Sequence, residues 1–364
     1  MDSHELVLTA CAFRTPERIP RFDSFWEYPE SWRARLGPAD DLTDVEIWVP
    51  DETTFPSRAR SLGNSDGWAY EVDPWGRSIR SSSGSYFVET LAVPLPAGVD
   101  PDTVRFDPPE EERRYWQGCG SQQEMLSLLS KAKKRHCVFG KTGGPYLRTT
   151  YVRGESRFLM DIAEDPPLAK ALADKMAEHL IAVGVTEIQR WSLQETGIWI
   201  YDDMAYNHGP MFSPASFEKV FLPAYCRMIR AYKEAGARYV FLHSDGDIRP
   251  LLDMLIEAGI DGINPLERRA HMDAVELRKR YPNLILTGGM CNTDTLIHGP
   301  ISKIQAEARL LIDLGRQGGL VIGTHSVSPE IPLDHFVAYD EVCRIYGNFE
   351  LSRSQKNKIG QEDL

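Results

Sequence analysis

The chain has 364 residues, 42% of them hydrophobic and 26% charged, and its 53 acidic against 41 basic residues give a formal net charge of −12. That much apolar material supports a large packed core and excludes wholesale disorder. So acidic a chain is a poor binder of polyanions, which disfavours nucleic acid as its main partner.

Met1-Asp2-Ser3-His4-Glu5 is polar and acidic where a secretory leader needs basic and then apolar residues. No run approaches the ~18 apolar residues of a membrane span. The six cysteines (Cys11, Cys119, Cys137, Cys226, Cys291, Cys343) are scattered without a C-x-x-C pair, so a disulfide framework is not expected and a reducing cytoplasm is.

Residues 1–110 are rich in Pro, Trp and short alternating runs. Trp68–Arg77 reads as a hairpin turning near Asp73-Pro74, and Ser85–Leu91 alternates like a further strand. Prolines 94, 96, 101, 108 and 109 mark a loop-rich stretch. Beyond it, helix-period segments (122–134, 165–182, 213–235, 250–258, 272–280, 300–314) alternate with short apolar strands (136–140, 198–201, 239–242, 262–264, 284–287, 320–323). Ser213 fits a helix N-cap with Pro214 at the first helical position. Six strands separated by helices imply parallel βαβ units, and segments 21–25 and 47–49 can supply two more. The expectation is an α/β chain folded as a (β/α)8 TIM barrel with a hairpin-containing N-terminal elaboration. Residues 1–350 would form one barrel, 1–110 its elaborated part, and 351–364 a polar tail. An open doubly wound sheet is the alternative, weakened by the lack of an early G-x-G-x-x-G.

Polar residues fall repeatedly where the strands end. Tyr201 runs into Asp202-Asp203, Leu242 into His243-Ser244-Asp245-Gly246-Asp247, Asn264 towards Glu267, Thr287 towards Cys291, and Gly323-Thr324 into His325. In a barrel these C-terminal ends share one rim, where active sites sit. Capping needs Ser, Thr, Asp or Asn but not His, Cys or Glu. His243, Asp245, Cys291 and His325 offer an N/S/O set for zinc; equally, the two histidines could bind a substrate carboxylate or exchange protons without metal. Lys141-Thr142-Gly143-Gly144-Pro145 reads as a tight turn facing the substrate, lacking a phosphate-loop pattern.

Through these same residues the sequence resembles the uroporphyrinogen decarboxylase superfamily. The matching stretches are Asp202-Asp203-Met204-Ala205, Phe212-Ser213-Pro214 through Pro223, His243–Asp247, Gly259–Glu267, Gly288-Gly289 and Gly323-Thr324-His325, with Asp73-Pro74-Trp75-Gly76 the clearest earlier match. The resemblance implies a (β/α)8 barrel with a cleft at the strand C-termini and one of two chemistries. Decarboxylases of the family bind a polyanionic porphyrinogen through an arginine-rich N-terminal segment. Here Ile19–Glu30 is acidic and aromatic instead, against that substrate. Asp51 falls near the family's catalytic aspartate and His325 matches a family catalytic histidine.

The other chemistry is methyl transfer involving a corrinoid protein. Its zinc members use His-x-Cys and a later Cys, where this chain has His243, Asp245 and His325. The resemblance therefore implies a metal-assisted methyltransferase acting on a small methylated compound, such as the aromatic ethers that O-demethylases take. Zinc would sit on His243, Asp245, Cys291 and His325; Asp203, Glu267 and His325 would be catalytic. Lys141, Tyr206, Asp51 and Asp202 would bind substrate, and Trp26, Trp75, Trp199 and Tyr206 would suit an aromatic one. A corrinoid protein and a second copy of the chain are the expected partners. Cofactor-free decarboxylation, with Arg148 and Arg153 as anion binders, is the alternative, and a barrel kept only as a binding module is a third reading.

Overall fold

The computed structural model describes residues 1–25, 27–82, 87–324 and 326–351. The strands are β1 (Val45–Trp48), β2 (Arg60–Ser65), β3 (Trp68–Val72), β4 (Ser78–Ser82), β5 (Glu89–Ala92), β6 (Cys137–Gly143), β7 (Gly197–Tyr201), β8 (Ala205–Tyr206), β9 (Gly209–Pro210), β10 (Tyr239–His243), β11 (Gly262–Asn264), β12 (Ile285–Gly289) and β13 (Leu320–Gly323). Seven of them form an all-parallel sheet in the order β1-β6-β7-β10-β11-β12-β13. The sheet curls: Val45 and Val321, from its two edge strands, join Cys137, Phe139, Trp199, Phe241 and Ile285 in one buried cluster.

Pro20–Ser24 runs along the β13 edge. Phe22 N donates to Ile322 O at 2.8 Å and Ser24 N to Thr324 O at 2.9 Å. On its other side Asp44 N, just ahead of β1, donates to Arg21 O at 2.8 Å. This is the stretch expected as a strand over 21–25; it makes bridges at Arg21 and Phe25 rather than a continuous strand.

Each parallel strand alternates its faces. Inward residues build the cluster just named; outward ones (Ile198, Ile200, Val240, Leu242, Ile263, Leu286, Leu320, Ile322) pack beneath the helices. The longest helix, Pro166–Arg190, buries Leu172, Met176, Leu180 and Val183, a stripe at three- and four-residue spacing. It starts where Asp165 caps the Leu168 N–H at 3.2 Å, and Pro166 cannot continue the preceding helix, Glu155–Glu164. Helix Gln122–Arg135 carries the Ser121 cap on Glu124 N at one end and Lys133, Lys134 and Arg135 at the other, as the helix dipole favours.

Three differences from the sequence-based expectation matter. Residues 141–143 are no turn: β6 runs on to Gly143, and Gly144 caps the helix Pro145–Arg153. The stretch 213–235 is two helices, Pro214–Val220 and Leu222–Glu234, parted where Pro223 removes a donor. A helix at Ser3–Cys11 puts Val7 and Cys11 into the inward-facing cluster, closing off the end of the sheet where its strands begin. The expected hairpin is β3–β4, joined by β2 and β5 in a four-stranded antiparallel sheet; Ser85 and Tyr86, of the expected strand 85–91, lie outside the described residues. Among the described residues no helix is long and apolar enough to cross a membrane.

Candidate functional site

Parallel register stacks the inner face in layers. β7 and β10 pair Trp199 with Phe241 and, one layer nearer the C-terminal ends, Tyr201 with His243. Both pairs are stacked, at 4.8 Å and 4.1 Å between centroids and each with 13° between planes. The deeper layer is dry core, with Trp199 only 1% exposed. The upper layer is polar. Lys141, inward-facing on β6, lays its ammonium 4.5 Å from the Tyr201 ring centre, and the strand order sets Tyr201 between Lys141 and His243.

The His243 ring is held in one tautomer. Asn264, paired with it in register on β11, donates from Nδ2 to the Thr287 carbonyl at 3.1 Å. Its Oδ1 must then be the acceptor for His243 Nδ1, 2.6 Å away, so Nδ1 carries the hydrogen. Nε2 consequently faces Asp245 Oδ1 at 3.7 Å and Asp203 Oδ1 at 4.0 Å. Asp203 Oδ1 also accepts from Asp245 N at 3.0 Å, tying the loops after β7 and β10 together. One ligand atom from each of Asp203, His243 and Asp245 lies within 4.8 Å of the other two. Burial pushes the Asp245 carboxyl up to about 7, with the Asp203 and Glu267 charges adding to it.

Glu267 adjoins this group. Its Oε2 accepts from Gly246 N at 2.7 Å. Gly246 has φ +84°, and a Cβ there would stand 2.6 Å from the Ala205 carbonyl carbon, so no side chain fits between this loop and the β8–β9 hairpin. Cys291 is not drawn into the group of three. Its Sγ accepts from Asp294 N at 3.3 Å, and it lines a cavity of about 130 Å³ with Asn207, Glu267 and Arg269.

The substrate-binding candidates scatter. Asp202 is fully buried and receives Leu147 N at 2.6 Å, Tyr225 Oη at 2.7 Å and Tyr146 N at 3.2 Å, a helix-capping role. Burial pushes it up to about 7 although all three donors pull the other way. Asp51 turns to Thr53 N at 3.0 Å and lies 3.9 Å from Arg114. Tyr206 sits on the exposed hairpin and Trp75 packs edge-on against Tyr151, so these rings and Trp199 form no common aromatic surface. His325 and Trp26 lie outside the described residues.

Sequence reasoning passed over Tyr201, Asn264 and Glu52. The first two are the terminal residues of β7 and β11, a position that could have singled them out. Glu52 follows β1; it binds Arg148 at 2.6 Å and accepts from Gly143 N, holding β6 beside the site.

No curated protein matches the chain. Among solved structures, a methyltransferase from Methanosarcina mazei superposes with a TM-score of 0.62 at 14% identity, over 95% of this chain and 99% of that one; at that identity the likeness is one of fold. The family model for uroporphyrinogen decarboxylase (URO-D) matches residues 93–346, well over half of the chain and every strand of the parallel sheet but β1. The chain therefore belongs to the uroporphyrinogen decarboxylase family.

Proposed function

We propose that this chain is a (β/α)8 barrel enzyme, one barrel over residues 1–350 with Pro20–Ser24 as its eighth stave. It would move a methyl group from a small methylated compound to a corrinoid carried by a partner protein. Asp203, His243 and Asp245 would hold a divalent cation, zinc by expectation, with His325 after β13 as a further ligand.

The observation that carries this reading is the convergence of three candidate donors around an imidazole whose Nδ1 is engaged by Asn264, which turns Nε2 towards the two carboxylates. Metal-bound histidines are oriented in this way, through the second ring nitrogen. Ligand atoms on one zinc ion stand roughly 3.4 Å apart, so the 3.7 Å and 4.0 Å separations, and the Asp203–Asp245 pair within 4.8 Å, would have to close when the ion binds. One nitrogen and two carboxylates make a harder set than a pair of thiolates, and suit zinc or manganese-like ions.

When bound, such a cation supplies Lewis acidity towards a substrate oxygen or nitrogen. The chain's own groups do the rest. Tyr201 fixes the plane of the imidazole by stacking, and Asn264 fixes its proton. Glu267, anchored on Gly246 N, would handle the proton on the heteroatom that loses its methyl group. The β8–β9 hairpin, bonded to the next loop through Asp247 N and Tyr206 O at 2.9 Å, forms part of the rim.

The decarboxylase alternative needs free guanidinium groups for a polyanion. Arg148 is paired with Glu52 at 2.6 Å, and Arg153 with Asp161 at 2.7 Å and two backbone carbonyls. Both cations are thus neutralised within the protein, which favours methyl transfer.

Metal analysis of the purified protein, with methylation of reduced cobalamin followed by absorbance, tests the proposal. About one equivalent of divalent metal is expected, with stoichiometric binding lost in His243→Ala and Asp245→Ala. A wild-type protein that takes up no metal on reconstitution, or that decarboxylates uroporphyrinogen, would overturn it.

A further inference from the structure

Among the described residues no carboxylate is paired with Lys141. It is half-buried on the inner face of β6, and among the described residues its ammonium forms no ion pair and no hydrogen bond; its one contact of note is the face of Tyr201. A buried charge normally has a partner, because leaving water uncompensated is costly. The nearby carboxyls are otherwise engaged. Glu52 is spent on Arg148 and on Gly143 N. Asp203 is one of the three groups that could hold a metal ion. Glu187, behind β6, is fully buried, and burial drives its carboxyl well above the usual range, towards the neutral form.

Replacing this lysine by an apolar residue would suit the aromatic layer around it, so its charge is a cost to folding that packing does not explain. Its position does explain it. Lys141 faces the same open end of the sheet as His243 with one aromatic ring between them, a separation that a small two-ended molecule can span.

We propose that Lys141 is the counter-charge for a carboxylate on the methyl donor, so that the enzyme takes small methylated acids, with the acid at Lys141 and the methylated heteroatom at Asp203, His243 and Asp245. The identity of the second end rests on the methyltransferase reading; the acid-binding role does not.

Equilibrium binding of methoxyacetate and methoxybenzoate, each beside its carboxamide, tests the proposal on metal-loaded and on chelator-treated protein. Both acids are expected to bind the wild type at least tenfold more tightly than their amides, metal or no metal, since a hydrogen bond to a charged group is worth about that much. Lys141→Met and Lys141→Gln should erase the preference. His243→Ala should keep it while losing metal and methyl transfer, which separates this proposal from the reading of the reaction. If chelator-treated wild type binds neither acid, or binds acid and amide alike, the proposal fails; the same holds if the preference survives in either Lys141 variant. The acid–amide comparison on the wild type needs no variant to fold.

Discussion

At the scale of single residues, the site works by holding groups in states they would not choose alone. Asn264 decides which nitrogen of His243 faces the two carboxylates. Asn264→Leu should therefore weaken metal binding by roughly tenfold to a hundredfold, as outer-shell changes do, in a chelator-competition titration. Asn264→Asp keeps an acceptor for Nδ1–H and should recover most of the loss. Lys141 bears the opposite signature. Its burial lowers its pKa, and the charges of Glu52, Glu187 and Asp203 offset that only in part. Lys141→Met should raise stability by on the order of 1 kcal/mol, read from urea unfolding, as is common when a residue kept for activity is replaced. A destabilised Lys141→Met would mean that the lysine serves the fold.

Among the elements, the helix Pro166–Arg190 and the loop after β1 meet at His179. The ring is buried, its Nε2 lies 3.0 Å from the Glu52 carbonyl, and Phe106 packs edge-on against it. Burial drives its pKa down to about 4. The unfolded chain takes up this proton below about pH 6.5, whereas the folded protein does so only near pH 4. Between those values the unfolded state binds more protons, so stability falls as pH falls and is full above about 6.5. The contribution at stake is on the order of 3 kcal/mol. His179→Gln should flatten that part of the stability curve, measured by urea unfolding at a series of pH values. The same contact gives Glu52 a fixed backbone from which to reach Arg148 and β6, so acid loosening of this joint reaches the strand that carries Lys141.

For the molecule as a whole, the ends of the chain hold one another. Arg21, beside β13, pairs with Asp340 at 2.6 Å on the helix Leu333–Ile345 and with Asp23 at 3.0 Å, all three being buried. A pair spanning 319 positions in sequence closes most of the chain into one loop. Arg21→Ala leaves Asp23 without a cation in the interior, while Asp340 keeps Arg344 at 2.7 Å, and should cost about 3 kcal/mol, the usual penalty for breaking a buried pair from one side. A fall in urea midpoint much smaller than that would show that water reaches Asp23. The N-terminal helix acts at the same scale, since Val7 and Cys11 complete the inner cluster where the strands begin. Residues 1–11 thus contribute to the core of a sheet whose last strand ends at Gly323.

The periodicity of the sequence determined the six parallel strands from residue 136 onward and several of the helices between them, because apolar spacing of 2 or 3.6 is a local property; it passed over the helices Pro145–Arg153, Glu155–Glu164 and Leu333–Ile345. It determined also that His243 and Asp245 flank one strand end, since both belong to one short run. It did not show that Lys141 continues a strand, because a Lys-Thr-Gly-Gly-Pro run has turn composition and only pairing with β7 keeps it extended. Nor did it show that Asp203 joins His243 while Cys291 stands apart, or that Asn264 and Tyr201 flank the imidazole. Those facts depend on the register between neighbouring parallel strands and on how far the sheet curls. Both are set by the packing of layers from strands dozens of residues apart, so the tertiary structure alone decided which of the polar strand ends share a site.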